Sequence, residues 1–283
     1  MRGGLKTELW KALHNPMFYA ALAIGCGITL INVVENLAVA EELRASVLAE
    51  DHTGGSRSPW GFSLFFLWMP VNGMSYGKTL FYLVWPVLAA MPFGWSYLQE
   101  RRGGLYNQLI IRTGRSTFYL AKYTAVFVSG GLAVAVPVLF NLLVNAMFCP
   151  YELPHILNML QIGDGYALSE LYFTAPWVYA LLWCGIDFLL GGAAAGLCFV
   201  VGTWLRLQVM TILTPFALLL VLDAAIAAIR DRYGWNLELS PLQLAASVPG
   251  HPNPEWAVMA AFLLLAAVGF GIGYWQVVRH ELA

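Results

Sequence analysis

Six long, mostly apolar runs, 17–40, 79–98, 118–148, 175–201, 207–229 and 256–278, constrain this chain more than any other feature. A bilayer core of about 30 Å is crossed by about 20 apolar residues in a helix, because an open backbone finds no hydrogen-bonding partner in lipid. The sequence therefore predicts an all-α integral membrane protein with six transmembrane helices. They form one transmembrane domain over 1–283, and no repeat is visible. The third run is long enough to tilt or to extend beyond the membrane. With 59% hydrophobic and 11% charged residues, the composition lies outside the soluble range.

A net charge of -1 excludes nucleic acid as a partner, since phosphate neutralisation needs a surplus of Lys and Arg on one face. Orientation follows from the basic residues flanking the runs, because cytoplasmic loops hold the excess. With the amino terminus inside, Arg2, Lys6, Lys11, Arg101, Arg102, Arg112, Arg115, Lys122, Arg206 and Arg279 are cytoplasmic; Arg44, Arg57, Lys78, Arg230 and Arg232 are outside. The balance predicts a multi-pass protein of the plasma (inner) membrane with both termini in the cytoplasm.

Leu5, Leu9 and Leu13 recur every four residues, with Lys6, Glu8 and Lys11 on the other side. This predicts an amphipathic interfacial helix over 1–16, stopped by Asn15-Pro16. The first apolar run is broken by Asn32, Glu35 and Asn36, which argues against a secretory signal. Two external segments follow from the topology, 41–78 and 230–255. In the first, Gly54-Gly55-Ser56 predicts a turn, and an apolar stretch from Trp60 to Met69, too short to cross, is expected to rest on the interface or cap the bundle. The second carries Pro241, Pro249, Pro252 and Pro254 and is expected to be irregular in its second half.

Gly77-Lys78-Thr79 has the ending of a phosphate-cradling loop, but Asn72 occupies the position of its required glycine and no strand precedes it. All five histidines fall outside the runs, so Ser129-Gly130-Gly131 has no base nearby and reads as helix packing. Gly192 with Gly196 and Gly269 with Gly273 read the same way. The four cysteines form no metal-ligand pattern and no disulfide framework. No catalytic centre and no cofactor of its own is expected.

Ionisable residues inside the runs are costly and therefore informative. Asp187 lies near the middle of the fourth, Asp223 toward the outer side of the fifth, and Glu35 near the outer end of the first beside Asn32. Asn141 and Asn145 occupy the matching part of the third. These six are candidates for a substrate path, or for hydrogen-bonded contacts between helices.

The loop 99–117 is the most distinctive local feature. Glu100-Arg101-Arg102-Gly103-Gly104 gives a basic stretch and a paired glycine hinge, Leu105 to Arg112 a short amphipathic stretch, and Gly114 a break before a helix containing Lys122. Glu100, Arg101, Gly103, Gly104, Leu109, Thr113, Arg115 and Lys122 resemble the first cytoplasmic loop of the membrane subunits of type-2 ABC exporters. Gly114 stands where that family often has Pro.

The resemblance implies a permease subunit that pairs with a second permease copy, or a related permease, and with a separate ABC ATPase carrying ATP and Mg. The loop would be the coupling helix. Leu105, Leu109 and Ile110 would fill a groove on the ATPase, with Glu100, Arg101, Arg102, Arg112 and Arg115 completing the docking surface. Two other readings remain open: an ion-coupled transporter using Asp187 and Asp223, and a membrane scaffold or sensor without transport.

Overall fold

A computed structural model describes residues 2–49, 63–73, 75–149, 151, 153–154, 162–163, 165–205 and 207–276. The Gly54-Gly55-Ser56 turn, Arg206 and Arg279 lie outside the described residues, as do the side chains of Leu105 and Arg112. Among the described residues eleven helices follow one another: α1 (Arg2–Leu13), α2 (Pro16–Ala49), α3 (Leu64–Leu67), α4 (Tyr76–Ala90), α5 (Ser96–Arg102), α6 (Leu105–Thr113), α7 (Arg115–Phe148), α8 (Ser169–Thr174), α9 (Pro176–Val201), α10 (Gln208–Tyr233) and α11 (Glu255–Tyr274). The described residues are helical or irregular throughout, without strands.

Local chemistry sets several boundaries. Asn15 Oδ1 accepts the Met17 N–H at 3.1 Å, and Pro16 opens α2 where its missing N–H is harmless. Ser75 Oγ caps α4 by accepting the Lys78 N–H at 3.1 Å. Gly234 ends α10 at φ 66°, a left-handed conformation that suits glycine.

Five helices, α2, α7, α9, α10 and α11, are long and apolar enough to cross a membrane. The expected second crossing, 79–98, is a correction: it is not one helix. α4 stops at Ala90, a turn occupies 91–95, and α5 resumes at Ser96. The physical reason is Pro92, which cannot donate an intrahelical bond and whose carbonyl instead accepts from Asn15 Nδ2 at 2.9 Å. Gly94 lets the turn press against α9, since a Cβ there would lie 2.5 Å from Cys198 Sγ.

The connections gather at two ends. Asn15 meets Pro92, Arg101 Nη1 donates to the Thr203 carbonyl at 3.0 Å, and Thr203 Oγ1 bonds the Gln276 side chain, so α1, the α5–α6 loop, the turn after α9 and the end of α11 share one end. At the opposite end, the Val248 N–H donates to the Pro70 carbonyl at 3.3 Å and the Ala167 N–H to Asn253 Oδ1 at 3.5 Å. α4 and α5 together carry the chain back from the second end to the first.

Two irregular segments at that second end are buried. In the first, Leu64, Phe65, Trp68, Met69 and Val71 join the core, so the apolar stretch inserts among the helices. In the second, the backbone from Leu242 to Val248 is wedged between α4 and α9. Trp85 Nε1 donates to the Leu242 carbonyl at 3.2 Å, Trp183 Nε1 to the Ala245 carbonyl at 2.9 Å, and Lys78 Nζ to the Val248 carbonyl at 2.7 Å. Non-helical backbone is tolerated at such depth only where protein groups satisfy it.

Packing centres on α7 and α9. A Cβ on Gly130 would lie 2.3 Å from Ala195 Cβ, and one on Gly131 2.5 Å from the Phe188 carbonyl. Gly192 receives the Phe127 ring, Gly196 the Tyr123 hydroxyl, and Gly269 lies against the backbone of Gly196. The small residues thus allow close helix approach. Burial falls from 72% of the apolar window in α9 to 17% in α10, whose Val209, Met210, Leu213, Leu218 and Val221 face outward. An all-α chain with this outward apolar surface is consistent with a multi-pass integral membrane protein.

Candidate functional site

Two polar regions stand out, one at each end of the bundle. At the first, the chain turns at Gly103-Gly104, forms α6, and turns again at Gly114. Gly104 has φ 71° and Gly114 φ 79°, values that side chains with a Cβ rarely adopt, so each bend depends on glycine. Thr113 Oγ1 closes the last turn of α6 by donating to the Leu109 carbonyl at 2.8 Å. Leu109 and Ile110 are half-buried against the core, whereas Ile111 is 84% exposed. Arg101 and Arg102 are exposed, and Arg115 is half-buried.

Glu100, assigned by resemblance to the docking surface, is turned inward. Its Oε1 lies 2.6 Å from Lys122 Nζ and 3.8 Å from Lys11 Nζ, and Glu8 completes the cluster with Oε2 at 3.0 Å from Lys122 and Oε1 at 2.8 Å from Lys11. Lys122 is fully buried, with its ammonium 4.6 Å from the centre of the Phe93 ring. Two cations and two carboxylates thereby balance where α1, α5 and α7 meet. Glu8, read from sequence on the polar face of α1, faces the bundle instead, because a buried ammonium on α7 needs carboxylates around it.

Burial pushes the Glu8 carboxyl upward, but the charge of Lys122 and hydrogen bonds from Lys11 and Lys122 outweigh it and hold the group below its ordinary value of 4.5. For Lys11, burial pushes downward, and the Glu8 hydrogen bond with the charges of Glu8 and Glu100 raises it above 10.5. The depressed Glu8 stabilises the fold fully above pH 4.5, a contribution lost as pH falls through its lowered value; the raised Lys11 contributes fully below pH 10.5, lost as pH rises beyond it. Stability followed by thermal unfolding in detergent is therefore expected to fall below pH 4.5, and Glu8→Gln to flatten that acid limb. An identical acid limb in the variant would contradict the assignment.

At the opposite end, five asparagine side chains bond to one another and to nearby backbone. The Asn36 amide donates to Asn145 Oδ1 and to the Leu67 carbonyl, both at 2.9 Å, and the Asn141 amide to Asn32 Oδ1 at 3.0 Å. The Met69 N–H reaches Asn141 Oδ1 at 3.1 Å, and the Asn72 amide reaches Asn36 Oδ1 at 3.0 Å. All five are buried. Of the path candidates, the structure brings together Asn32, Asn141 and Asn145, in a network joining α2, α7 and the inserted segment 67–72, in which the Asn32 Nδ2 has no partner among the described residues. That is how interhelical contacts satisfy polar groups in apolar surroundings.

The acids are dispersed. Glu35 accepts from Ser75 Oγ at 2.6 Å at the start of α4, and Asp223 is half-buried on α10 with no partner among the described residues. Asp187 is fully buried on α9; the Tyr82 hydroxyl donates to its Oδ2 at 3.3 Å, and its Oδ1 has no partner among the described residues. One turn before Tyr82 on α4 stands Lys78, also buried, beside a cavity of ≈ 290 Å³ bounded on its other side by Leu242 to Gly250. Comparison with protein families, with curated proteins and with solved structures gives no match.

Sequence reasoning missed Lys78 and Tyr82 as neighbours of this region. From sequence, Lys78 reads as a failed phosphate-loop lysine and an external charge, although a lysine at the edge of an apolar run needs a partner in any fold. Lys122 carried the corresponding signal at the first end, four residues inside the run 118–148.

Proposed function

We propose that this chain is the permease subunit of an ATP-driven ABC exporter, docked through α6 to a separate ATPase and paired with a second permease. The observation that carries the reading is the buried Glu8–Lys122–Glu100 cluster. Motion delivered by a soluble motor is transmitted only by an element fixed to the membrane helices. Here α6 is bounded by two glycine turns, and the adjoining α5 is tied to α7, and through the buried Lys122 to α1, by charge pairs.

In this reading α4, the turn 91–95 and α5 together make the second of six crossings, the α6 end is cytoplasmic by the excess of basic residues, and α1 lies in the inner interface. ATP hydrolysis belongs to the partner. The docking surface is revised from the sequence expectation: Ile111 with Arg101 and Arg102 is offered outward, and Glu100 braces the loop from within.

A second reading, ion-coupled transport, is favoured by one observation, the unpartnered Oδ1 of buried Asp187. Proteoliposomes separate the two. Flux that requires the ATPase and ATP, and persists when ion gradients are collapsed, supports the exporter; flux driven by an ion gradient in the isolated chain, abolished in Asp187→Asn, rejects it.

A further inference from the structure

Lys78 is placed where a cation is hard to sustain. Its side chain is buried, it sits in the first turn of α4, where the helix dipole already presents positive charge, and no carboxylate pairs with it among the described residues. The acids near it are otherwise engaged: Glu35 by Ser75 and Asp187 by Tyr82. One of its three N–H groups goes to the Val248 carbonyl, a neutral partner that leaves the charge uncompensated. The ≈ 290 Å³ cavity beside it is also lined by Gln243, a half-buried residue with a side-chain amide. Leu83, 41% exposed on α4, also lines the cavity.

We infer that this cavity binds a phosphate-type oxyanion, held by the Lys78 ammonium and the Gln243 amide. Charge-assisted bonds from two donors suit a tetrahedral group with oxygens on every side. The anion supplies the charge that the fold leaves out, and Leu83 sets the acyl chains of a lipid carrying such a headgroup beside the cavity. Phosphate could also arrive free from solution, and the test separates these sources. The site rests on geometry at the end opposite α6, so it stands or falls independently of the ATPase.

The experiment uses the purified full chain in detergent, with phosphatidylglycerol, uncharged diacylglycerol and inorganic phosphate as probes, and native mass spectrometry and thermal stabilisation as readouts. Phosphatidylglycerol is expected to bind the wild type in preference to diacylglycerol, and to bind Lys78→Met about tenfold more weakly. Lys78→Arg should retain binding. Gln243→Ala, which leaves the Lys78–Val248 bond in place, should weaken binding without lowering the unfolding temperature of the free protein. Stabilisation of the wild type but not Lys78→Met by inorganic phosphate would support a soluble source; an effect of phosphatidylglycerol alone would support the lipid. Equal binding of both probes by wild type and Lys78→Met, or binding of neither, would overturn the proposal and leave Lys78 as a clamp on the inserted segment.

Discussion

Lys122→Met is expected to destabilise the protein by about 3–5 kcal/mol, the range for breaking a buried ion pair from one side. Methionine fills a similar volume over the Phe93 ring, so lost packing is a small part of the effect. What remains is two carboxylates, Glu8 and Glu100, for which Lys11, its side chain 40% exposed, remains as an ion-pair partner. The diagnostic control is the triple variant Glu8→Gln, Glu100→Gln, Lys122→Met, in which the unpaired charges are gone and much of the stability should return. Thermal unfolding in detergent followed by tryptophan fluorescence reads both. A loss below about 1 kcal/mol for Lys122→Met, the range of an exposed pair, would show that the cluster is not the buried tie described above.

The second large effect is expected at Gly130. A Cβ there would lie 2.3 Å from Ala195 Cβ, 2.8 Å from the Ala89 carbonyl and 3.3 Å from the Gly191 carbonyl, so α7, α4 and α9 all meet at this one position. Backbone oxygens cannot swing aside as a flexible side chain can. Gly130→Val therefore forces the helices apart and should destabilise the bundle by about 3 kcal/mol or more, at the upper end of overpacking effects. Gly27, on the outward face of α2, has nothing within 4 Å of its missing Cβ, and Gly27→Val should change stability by no more than about 0.5 kcal/mol. Equal unfolding temperatures for the two variants would contradict the packing account.

The long helices and several of their limits were legible because their causes are local. Asn15-Pro16 stops α1 and caps α2, Gly104 and Gly114 bound α6, and small residues four apart mark where helices touch. The break in the second run was harder to see, since hydropathy averaged over 79–98 conceals the single Pro92 that redirects the backbone. The ion cluster was not legible as a cluster: Glu8 and Glu100 stand 114 and 22 residues from Lys122, and each has a satisfactory local reading of its own. The inserted backbone at Leu242 to Val248 was the least visible. Its contacts with Trp85, Trp183 and Lys78 are made by its carbonyls, and a carbonyl leaves no mark in the sequence.

Whether α6 docks an ATPase, as proposed, is decided by recovery of an ABC ATPase with the affinity-tagged chain from native membranes, using wild type, Ile111→Asp and Leu109→Asp. Ile111 is 84% exposed, so an aspartate there is expected to leave the fold intact while placing a charge in the proposed docking face. Leu109, half-buried, tests the same helix from its inner side. Ile111→Asp is expected to insert normally, to unfold at the wild-type temperature, and to lose at least about tenfold in ATPase recovery, with ATP-driven transport falling in step. Unchanged recovery together with unchanged transport in Ile111→Asp would contradict docking through α6.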